Sequence, residues 1–236
     1  MNIVRTVSDT KRAFYTIYTR PVNSIYRRVV EEFMVEMHLL SVNADFHYDD
    51  IYALGMVTAF DRFMQGYRPE QSKEQIFDAL CQATGQDPQR YRQSAEKLRT
   101  QAVDFSINDL TSKIESLSHA EGDGIQAELR RIAETPRFKY SRLFAIGLYS
   151  FLEIMDPEVV KDEKKRNEIL GTICSALNLS PEKIQKDLEL YRSNLDKMAQ
   201  SQIVMEDILK ADRKKKAERE QAKNAIGTPS TPSEES

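Results

Sequence analysis

Histidine and cysteine are the side chains of this sequence with the chemistry to bind a metal ion or act as nucleophiles. The three histidines are His38, His47 and His119. None lies one helical turn from another histidine, or in the Glu-x-x-His pair with which helical metal sites place ligands on one face. Cys81 and Cys174 lie in apolar segments without a neighbouring Lys, Arg or His to lower the pKa of the thiol. These patterns predict structural histidines, buried thiols and no catalytic residue, metal site or cofactor.

The adjacent carboxylates Asp49 and Asp50 are a second candidate for metal chemistry. They stand directly before an apolar helical segment, where an Asp oxygen accepts hydrogen bonds from the free amides of the first helical turn. We expect the helix cap rather than the metal site. The sequence has no glycine-rich phosphate loop and no Gly-x-Ser-x-Gly nucleophile motif. We therefore expect that the protein is not an enzyme.

Positive charge is concentrated at Lys210 and at Arg213, Lys214, Lys215 and Lys216. Three interpretations are open: a solvated helix face, a contact with anionic lipid or an acidic protein surface, and nucleic-acid binding. Acidic residues nearby reduce the net charge, and no aromatic side chain is interleaved to stack on bases, which argues against nucleic acid. These residues are therefore candidates for a partner or membrane contact, with the solvated helix face as the open alternative, and we expect no nucleic-acid partner.

The segment DRFMQGYRP, residues 61–69, is a second candidate contact surface. Arg62, Tyr67 and Arg68 belong to residue types that dominate the energetics of protein interfaces. The segment also stands where a long apolar helix ends, because its glycine and proline stop a helix. An exposed partner contact and ordinary helix termination explain the segment equally well.

The elements that position these residues are helices. Of the 236 residues, 40% are hydrophobic and 30% are charged, and the net charge is −3, which is typical of a soluble, helix-rich protein. No run of alternating β-branched and polar residues indicates a strand. The longest apolar runs are too short to span a bilayer, and the first residues lack a signal or transit-peptide pattern. We predict an all-α protein that is soluble or peripheral to a membrane.

Capping residues and apolar spacing divide the chain into helices. The central one lies at residues 50–65, within the segment Tyr48–Arg68, and is apolar on nearly every side, as a core helix is. We predict that Ser8 and Asp9 cap the first helix and that Ser72 opens a capping box. Asp87 should cap a helix that has Pro88 in its first turn. A second helix is expected after Pro21 and runs to about Leu40. Further helices are expected at residues 72–84, 88–102, 108–117, 125–133 and 143–155, and a last helix carries a series of apolar residues that starts at Ile184.

The pattern of the core helix recurs later in the chain. Tyr52–Met56 aligns with Phe144–Leu148, and Cys81 aligns with Cys174. Matching helix caps accompany these pairs. Two explanations remain open: an internal duplication of a three-helix unit around a pseudo-twofold axis, and chance similarity between amphipathic helices. The two candidate copies are residues 50–99 and 142–192.

Beyond the second copy, the apolar residues of the last helix follow heptad spacing from Ile184 to Leu209. A charged segment without an apolar stripe comes next, and a Gly/Pro/Ser-rich tail follows it. We therefore place a single compact helical domain at residues 1–200, a long projecting C-terminal helix at 201–224 and a disordered tail at 225–236.

Three segments of the chain resemble the thylakoid-formation protein family. They are Thr6–Asn43 (TVSDTKRAFYTIYTRPVNSIYRRVVEEFMVEMHLLSVN), Tyr48–Glu70 (YDDIYALGMVTAFDRFMQGYRPE) and Ile76–Arg92 (IFDALCQATGQDPQRYR). The resemblance extends over residues 6–215 and carries no residue-level binding motif. It implies an all-helical protein without enzymatic activity that associates peripherally with the thylakoid membrane.

The resemblance also implies a function and a partner. Family members support photosystem II biogenesis and repair, and the implied partner is the membrane-bound FtsH protease complex, which the protein would bind and regulate. Because the chain begins directly at the family's segment, we expect a cyanobacterial form on the cytoplasmic side of the thylakoid membrane. The alternative is a lipid-binding membrane organiser in thylakoid formation, since a basic helix also suits anionic lipid.

Overall fold

The computed structural model describes residues 5–115 and 124–226, with side chains for all of these except 115 and 222–226. Within these ranges the chain forms eleven α-helices and no strand, which confirms the all-α prediction. The helices are α1 (Val7–Ile17), α2 (Ser24–Ser41), α3 (Asp50–Phe63), α4 (Glu70–Ala83), α5 (Pro88–Asp104), α6 (Ile107–Glu115), α7 (Ile125–Glu134), α8 (Arg142–Met155), α9 (Pro157–Lys161), α10 (Glu163–Ala176) and α11 (Pro181–Ile226).

Two of the predicted capping residues begin their helices as expected. The Asp49 carboxylate accepts a hydrogen bond from the amide of Tyr52 at 2.7 Å, at the start of α3. The Asp87 carboxylate accepts from the amide of Gln89 at 3.0 Å, at the start of α5. In both cases an acidic oxygen satisfies an amide that the helix itself leaves without a partner.

Two other predicted caps are wrong. Helix α1 is capped by Thr6, whose hydroxyl accepts from the amide of Asp9 at 3.2 Å, while the Asp9 carboxylate accepts from the Thr6 amide at 3.0 Å. Asp9 is therefore the reciprocal member of a capping box rather than the cap. Helix α4 already begins at Glu70, so Ser72 lies inside its first turn and is buried rather than capping the helix.

Helices α3 and α8 form the core of the fold. All residues of Ile51–Phe60 in α3 and of Leu143–Leu152 in α8 are buried, which confirms that both helices are packed on every side. Among the described helix pairs, α3 and α8 have the most extensive contact. Helix α5 contacts both members of this pair, and α9 contacts α8.

Two glycines bring the backbones of α3 and α8 into direct contact. A Cβ atom added to Gly55 would lie 1.7 Å from the carbonyl oxygen of Leu143, and one added to Gly147 would lie 1.8 Å from the carbonyl oxygen of Ile51. No side chain fits at these distances, so only glycine permits this approach. The contact is reciprocal, because Gly55 aligns with Gly147, and Ile51 with Leu143, in the predicted duplication.

Further pairs of features agree with a duplication. Helices α3, α8, α4 and α10 each have 14 residues. Ser141 caps α8 as Asp49 caps α3, each accepting from the third amide of its helix. Helices α4 and α10 end before Gly85 and Asn178, which have positive φ angles of 77° and 55°, as helix C-termini commonly do. These pairs support the duplication, which remains a prediction.

The packing divides the chain into two compact units, the first ending at Leu195 and the second beginning at Asp196. The part of α11 within the first unit buries the beginning of the heptad seam. The buried seam residues there are Ile184, Leu188 and Tyr191. The domain limits predicted from sequence, at residue 200 and residue 224, remain predictions, and nearly all of the tail at 225–236 lies outside the described residues.

Candidate functional site

The cysteines and the central histidine have structural surroundings. Cys81 and Cys174 are buried, and burial raises the pKa of their thiols to about 12 and about 11. Neither thiol is therefore ionised at neutral pH, and a protonated thiol is a poor nucleophile. His38 is buried, with its Nδ1 atom 2.9 Å from the Thr10 hydroxyl. This hydrogen bond satisfies a polar ring within the core.

Acidic and histidine side chains do not gather into a metal site in the part of the chain that the structure describes. No group of three His, Cys, Asp or Glu residues there is arranged to hold an ion. Asp49 serves as a helix cap, and burial raises the pKa of its carboxyl group to about 7, since removal from water disfavours the charged form. His47 is exposed, and His119 lies outside the described residues.

The DRFMQGYRP segment is exposed only in part. Arg62 forms an ion pair with Glu153 and so links α3 to α8. Tyr67 is only 2% exposed, and its ring packs edge-on against Tyr26 with 5.0 Å between the centroids. The expectation of an exposed Tyr67 is therefore wrong, because the chain turns its ring into the core after α3. Arg68 is exposed and remains a candidate contact residue.

The predicted basic residues lie on an exposed length of α11 in the second unit. Lys210 lies 4.0 Å from Glu206 and 3.9 Å from Asp207. The side chains of Arg213, Lys214, Lys215 and Lys216 are all exposed. Exposed ion pairs contribute only about 0–1 kcal/mol, so the pairs of Lys210 do not prevent it from binding another partner.

Large apolar side chains precede the basic residues and are exposed, which the sequence analysis did not identify. They are Ile203 (61% exposed), Val204 (58%), Ile208 (51%) and Leu209 (49%). Several large apolar side chains exposed close together are typical of an interaction site. The sequence feature that indicates them is the apolar run after Gln202. The heptad spacing breaks there, so one buried face of the helix cannot include every apolar residue.

We call residues 203–216 the apolar–basic stretch. Because an α-helix has 3.6 residues per turn, Val204, Ile208 and Lys215 share one face of α11. That face presents apolar side chains first and positive charge two turns later. An arrangement of this kind suits a partner that combines an apolar surface with negative charge.

The apolar helices of this protein are core helices. Helices α3 and α8 have 14 residues each, whereas a transmembrane helix needs about 20. Helix α11 is long, but charged residues occur throughout its second half. Among the residues described, no helix combines the length and the apolar character needed to cross a membrane.

Comparisons with known proteins agree with the resemblance seen in the sequence. The profile of the family described as "Thylakoid formation protein" matches residues 6–220. The chain is 60% identical over 236 residues to Protein Thf1 of Trichormus variabilis, covering 100% of both chains. It is 58% identical over 235 residues to Protein Thf1 of Nostoc punctiforme, covering 99% of this chain and 100% of that protein.

A solved structure has the same fold. The structure of Psb29 matches with a TM-score of 0.79 and 44% sequence identity, covering 90% of this chain and 99% of that one. The family profile extends over helices α1 to α11, including the apolar–basic stretch. This chain therefore belongs to the thylakoid formation protein family.

Proposed function

We propose that this protein is a non-enzymatic, thylakoid-associated factor that supports photosystem II biogenesis and repair by binding and regulating the FtsH protease complex. It would act peripherally, on the cytoplasmic side of the cyanobacterial thylakoid membrane. Membership of the thylakoid formation protein family supports the thylakoid role. The FtsH partnership follows from the family resemblance and is the part of the proposal that needs testing.

The observation that carries an adaptor role is the apolar–basic stretch. Its exposed apolar side chains gain nothing from solvent, and their burial against a partner contributes about 25 cal/mol per Å² of apolar surface removed from water. The neighbouring Lys210 and Arg213–Lys216 add attraction to an acidic surface and accelerate its encounter. This is the chemistry of a docking site rather than of a reaction.

A lipid-binding membrane organiser is the second candidate, and the same stretch favours it. Each basic residue near an anionic membrane contributes about 1 kcal/mol, and the apolar side chains would enter the interfacial region. Glu206, Asp207 and Asp212 lie within the stretch and would be repelled by anionic lipid. For this reason we rank the protein partner first.

Co-purification from cyanobacterial membranes tests the proposal. The full chain is compared with two variants: Ile208→Asp combined with Leu209→Asp, and a charge reversal to Glu at all four of residues 213–216. Val103→Asp is the matched control, because Val103 is an apolar side chain that is 74% exposed on the first unit. FtsH recovery is measured at low and at physiological salt, and helicity by circular dichroism confirms that each variant is folded.

We expect both α11 variants to lose most of the recovered FtsH and the control to retain it. Equal recovery with all variants would remove the apolar–basic stretch from the mechanism. Flotation of the purified protein with phosphatidylglycerol vesicles separates the two candidates. Strong flotation at physiological salt, abolished by the charge reversal, would favour the lipid-binding organiser.

A further inference from the structure

Helix α7 is attached to the beginning of α3 by one of its own side chains. The Glu128 carboxylate accepts a hydrogen bond from the amide of Asp50 at 2.7 Å, and it also pairs with Arg131 at 2.6 Å. Arg131 in turn donates to the carbonyl oxygen of Tyr48 at 3.4 Å. The first amide of α3 is therefore satisfied by a side chain of another helix, 78 residues away in the sequence.

Two largely buried carboxylates consequently cap the same helix. Asp49 is 3% exposed and the side chain of Glu128 is 15% exposed, and both accept from amides in the first turn of α3. The positive end of the helix dipole favours negative charge there. Burial is nevertheless the largest cause that raises the pKa of the Asp49 carboxyl group, and the charge of Glu128 raises it further, because like charges removed from water repel each other.

The charges around Asp49 do not balance when every carboxyl group is ionised. Its acidic neighbours are Asp50 on α3 and Glu128 on α7, and its basic neighbour is Arg131 on α7. Lys97 on α5 pairs with Asp50 at 2.9 Å. Three carboxylates, which we call the carboxylate cluster, thus meet two basic groups. One proton removes the excess negative charge, and the most buried carboxyl group is the one that binds it.

The segment before α3 carries further charged groups, which have partners of their own. The Arg90 guanidinium of α5 lies 3.9 Å from the centroid of the Tyr48 ring, and Arg137 pairs with Asp45 at 2.6 Å. The Nδ1 atom of His47 lies 3.1 Å from the carbonyl oxygen of Asp45. Neither arginine forms an ion pair with the carboxylate cluster, whereas His47 is a second titratable group that an experiment must separate from it.

Little else attaches α7 to the rest of the first unit. Helix α7 buries only Ile125, Leu129 and Ile132 among its ten residues, whereas the central helices α3 and α8 each bury ten consecutive residues. Elements with few buried apolar side chains open locally at a free energy below that of global unfolding. The hydrogen bond of Glu128 is therefore a large part of what keeps α7 on α3.

We propose that α7 is a pH-sensitive clasp, which stays closed on α3 while the carboxyl group of Asp49 carries a proton and opens when that proton is lost. Opening separates Glu128 from the amide of Asp50 and moves one of two like charges into water. It also uncovers the apolar side of α7. The proposal goes beyond the proposed function, since it holds whether or not the protein binds FtsH.

The direction of the pH dependence follows from the state that binds the proton more tightly. The pKa of Asp49 is about 7 in the closed state, and it should move towards its ordinary value of 3.8 once α7 leaves and water enters. The closed state is thus favoured at low pH, and this advantage is lost as the pH rises through about 7. Between about pH 5.5 and about pH 7.5, the equilibrium constant for opening should increase about tenfold.

Hydrogen exchange of the full chain, read by mass spectrometry, measures the opening of each helix. Exchange rates of the α7 and α8 amides at the two pH values are divided by the intrinsic rates, which gives the equilibrium constant for opening. Asp49→Asn removes the titrating group but keeps an oxygen that can cap α3. Asp162→Asn is the matched control, because Asp162 is an exposed cap of α10 that accepts from the amide of Lys164 at 3.0 Å.

We expect α7 to open more readily than α8 at both pH values, and its opening constant to rise about tenfold between them. Asp49→Asn should abolish this rise, and Asp162→Asn should retain it. Opening of α7 that does not change with pH would overturn the proposal. So would a rise that survives in Asp49→Asn, which would assign it to another group such as His47, or one that both variants lose. Equal opening constants for α7 and α8 would likewise overturn it, because the whole unit would then be unfolding.

Discussion

Replacing Gly55 with alanine should force the two central helices apart. The added Cβ would lie 1.7 Å from the carbonyl oxygen of Leu143 and 2.7 Å from the amide nitrogen of Gly147, where an unstrained carbon–oxygen contact needs about 3.3 Å. A gap of only about 0.5–1 Å already forfeits a quarter to a half of the dispersion attraction across the interface. Because α3 and α8 share the largest described helix contact, we expect a loss of about 3–5 kcal/mol in the free energy of unfolding.

Urea unfolding followed by circular dichroism measures this loss, and the chain supplies a matched control. Gly171 also lies within a helix, α10, but a Cβ added there would meet no atom within 4 Å. Alanine is the better helix former by about 1 kcal/mol. The same substitution at Gly171 should therefore stabilise the protein, and the two variants should shift the unfolding midpoint in opposite directions.

The reciprocal contact gives a second check. Gly147→Ala should destabilise the protein about as much as Gly55→Ala, and the double variant should lose less than the sum, because either alanine already separates the helices. A loss below about 1 kcal/mol for Gly55→Ala would refute the reasoning, since it would mean that α3 and α8 separate without losing packing.

Three further predictions concern side chains at the ends of the central helices. Burial raises the pKa of the Asp49 carboxyl group from 3.8 to about 7, so the folded protein binds a proton at this group more tightly than the unfolded chain does. The protonated carboxyl group therefore adds to the free energy of unfolding below about pH 4, and this contribution is lost as the pH rises through about 7. Asp49→Asn should abolish that loss. Urea unfolding at about pH 4 and at about pH 8 measures how much the free energy of unfolding changes between the two pH values, and this change should be smaller in the variant than in the unsubstituted protein by at most about 4 kcal/mol. Ser141→Ala removes the equivalent cap of α8, with no titrating group, and should cost about 1 kcal/mol at every pH in the same assay. Arg62→Ala and Glu153→Ala, whose side chains are 36% and 31% exposed, should show a coupling of about 1 kcal/mol or less in a double-mutant cycle, decreasing with added salt.

The sequence predicts those features of the fold that depend on neighbouring residues. Asp49 and Asp87 are correct caps because each needs only an amide two or three residues ahead. The same rule fails at Ser72, although the local motif is good. There the helix begins earlier, directly after Pro69, and the serine becomes an interior position. A capping motif thus indicates that a helix is near, whereas competing start signals decide the residue at which it begins.

Contacts between residues far apart in the sequence are not predicted by local sequence patterns. Tyrosine is a residue type common at protein interfaces, but Tyr67 is buried because it packs against Tyr26. A rule based on neighbouring residues does not predict this contact, since the two residues are far apart in the sequence. Arg62 likewise meets Glu153, 91 residues away. The exposure of Ile208 also depends on the packing of the chain. Ile208 lies beside the heptad seam rather than on it, and its side chain is 51% exposed.

The two candidate copies differ most in the length of their last helix. The additional turns of that helix are not needed for the packing of the three-helix unit. Helices α5 and α11 begin alike, with a capping residue followed by proline. Helix α5 ends at Asp104 after 17 residues, whereas α11 continues for 46. A three-helix unit is therefore complete without the additional turns, and these turns contain the whole apolar–basic stretch. The fold of the unit does not account for those exposed apolar and basic side chains, and our proposal that a partner binds them is what the variants at residues 208–209 and 213–216 test.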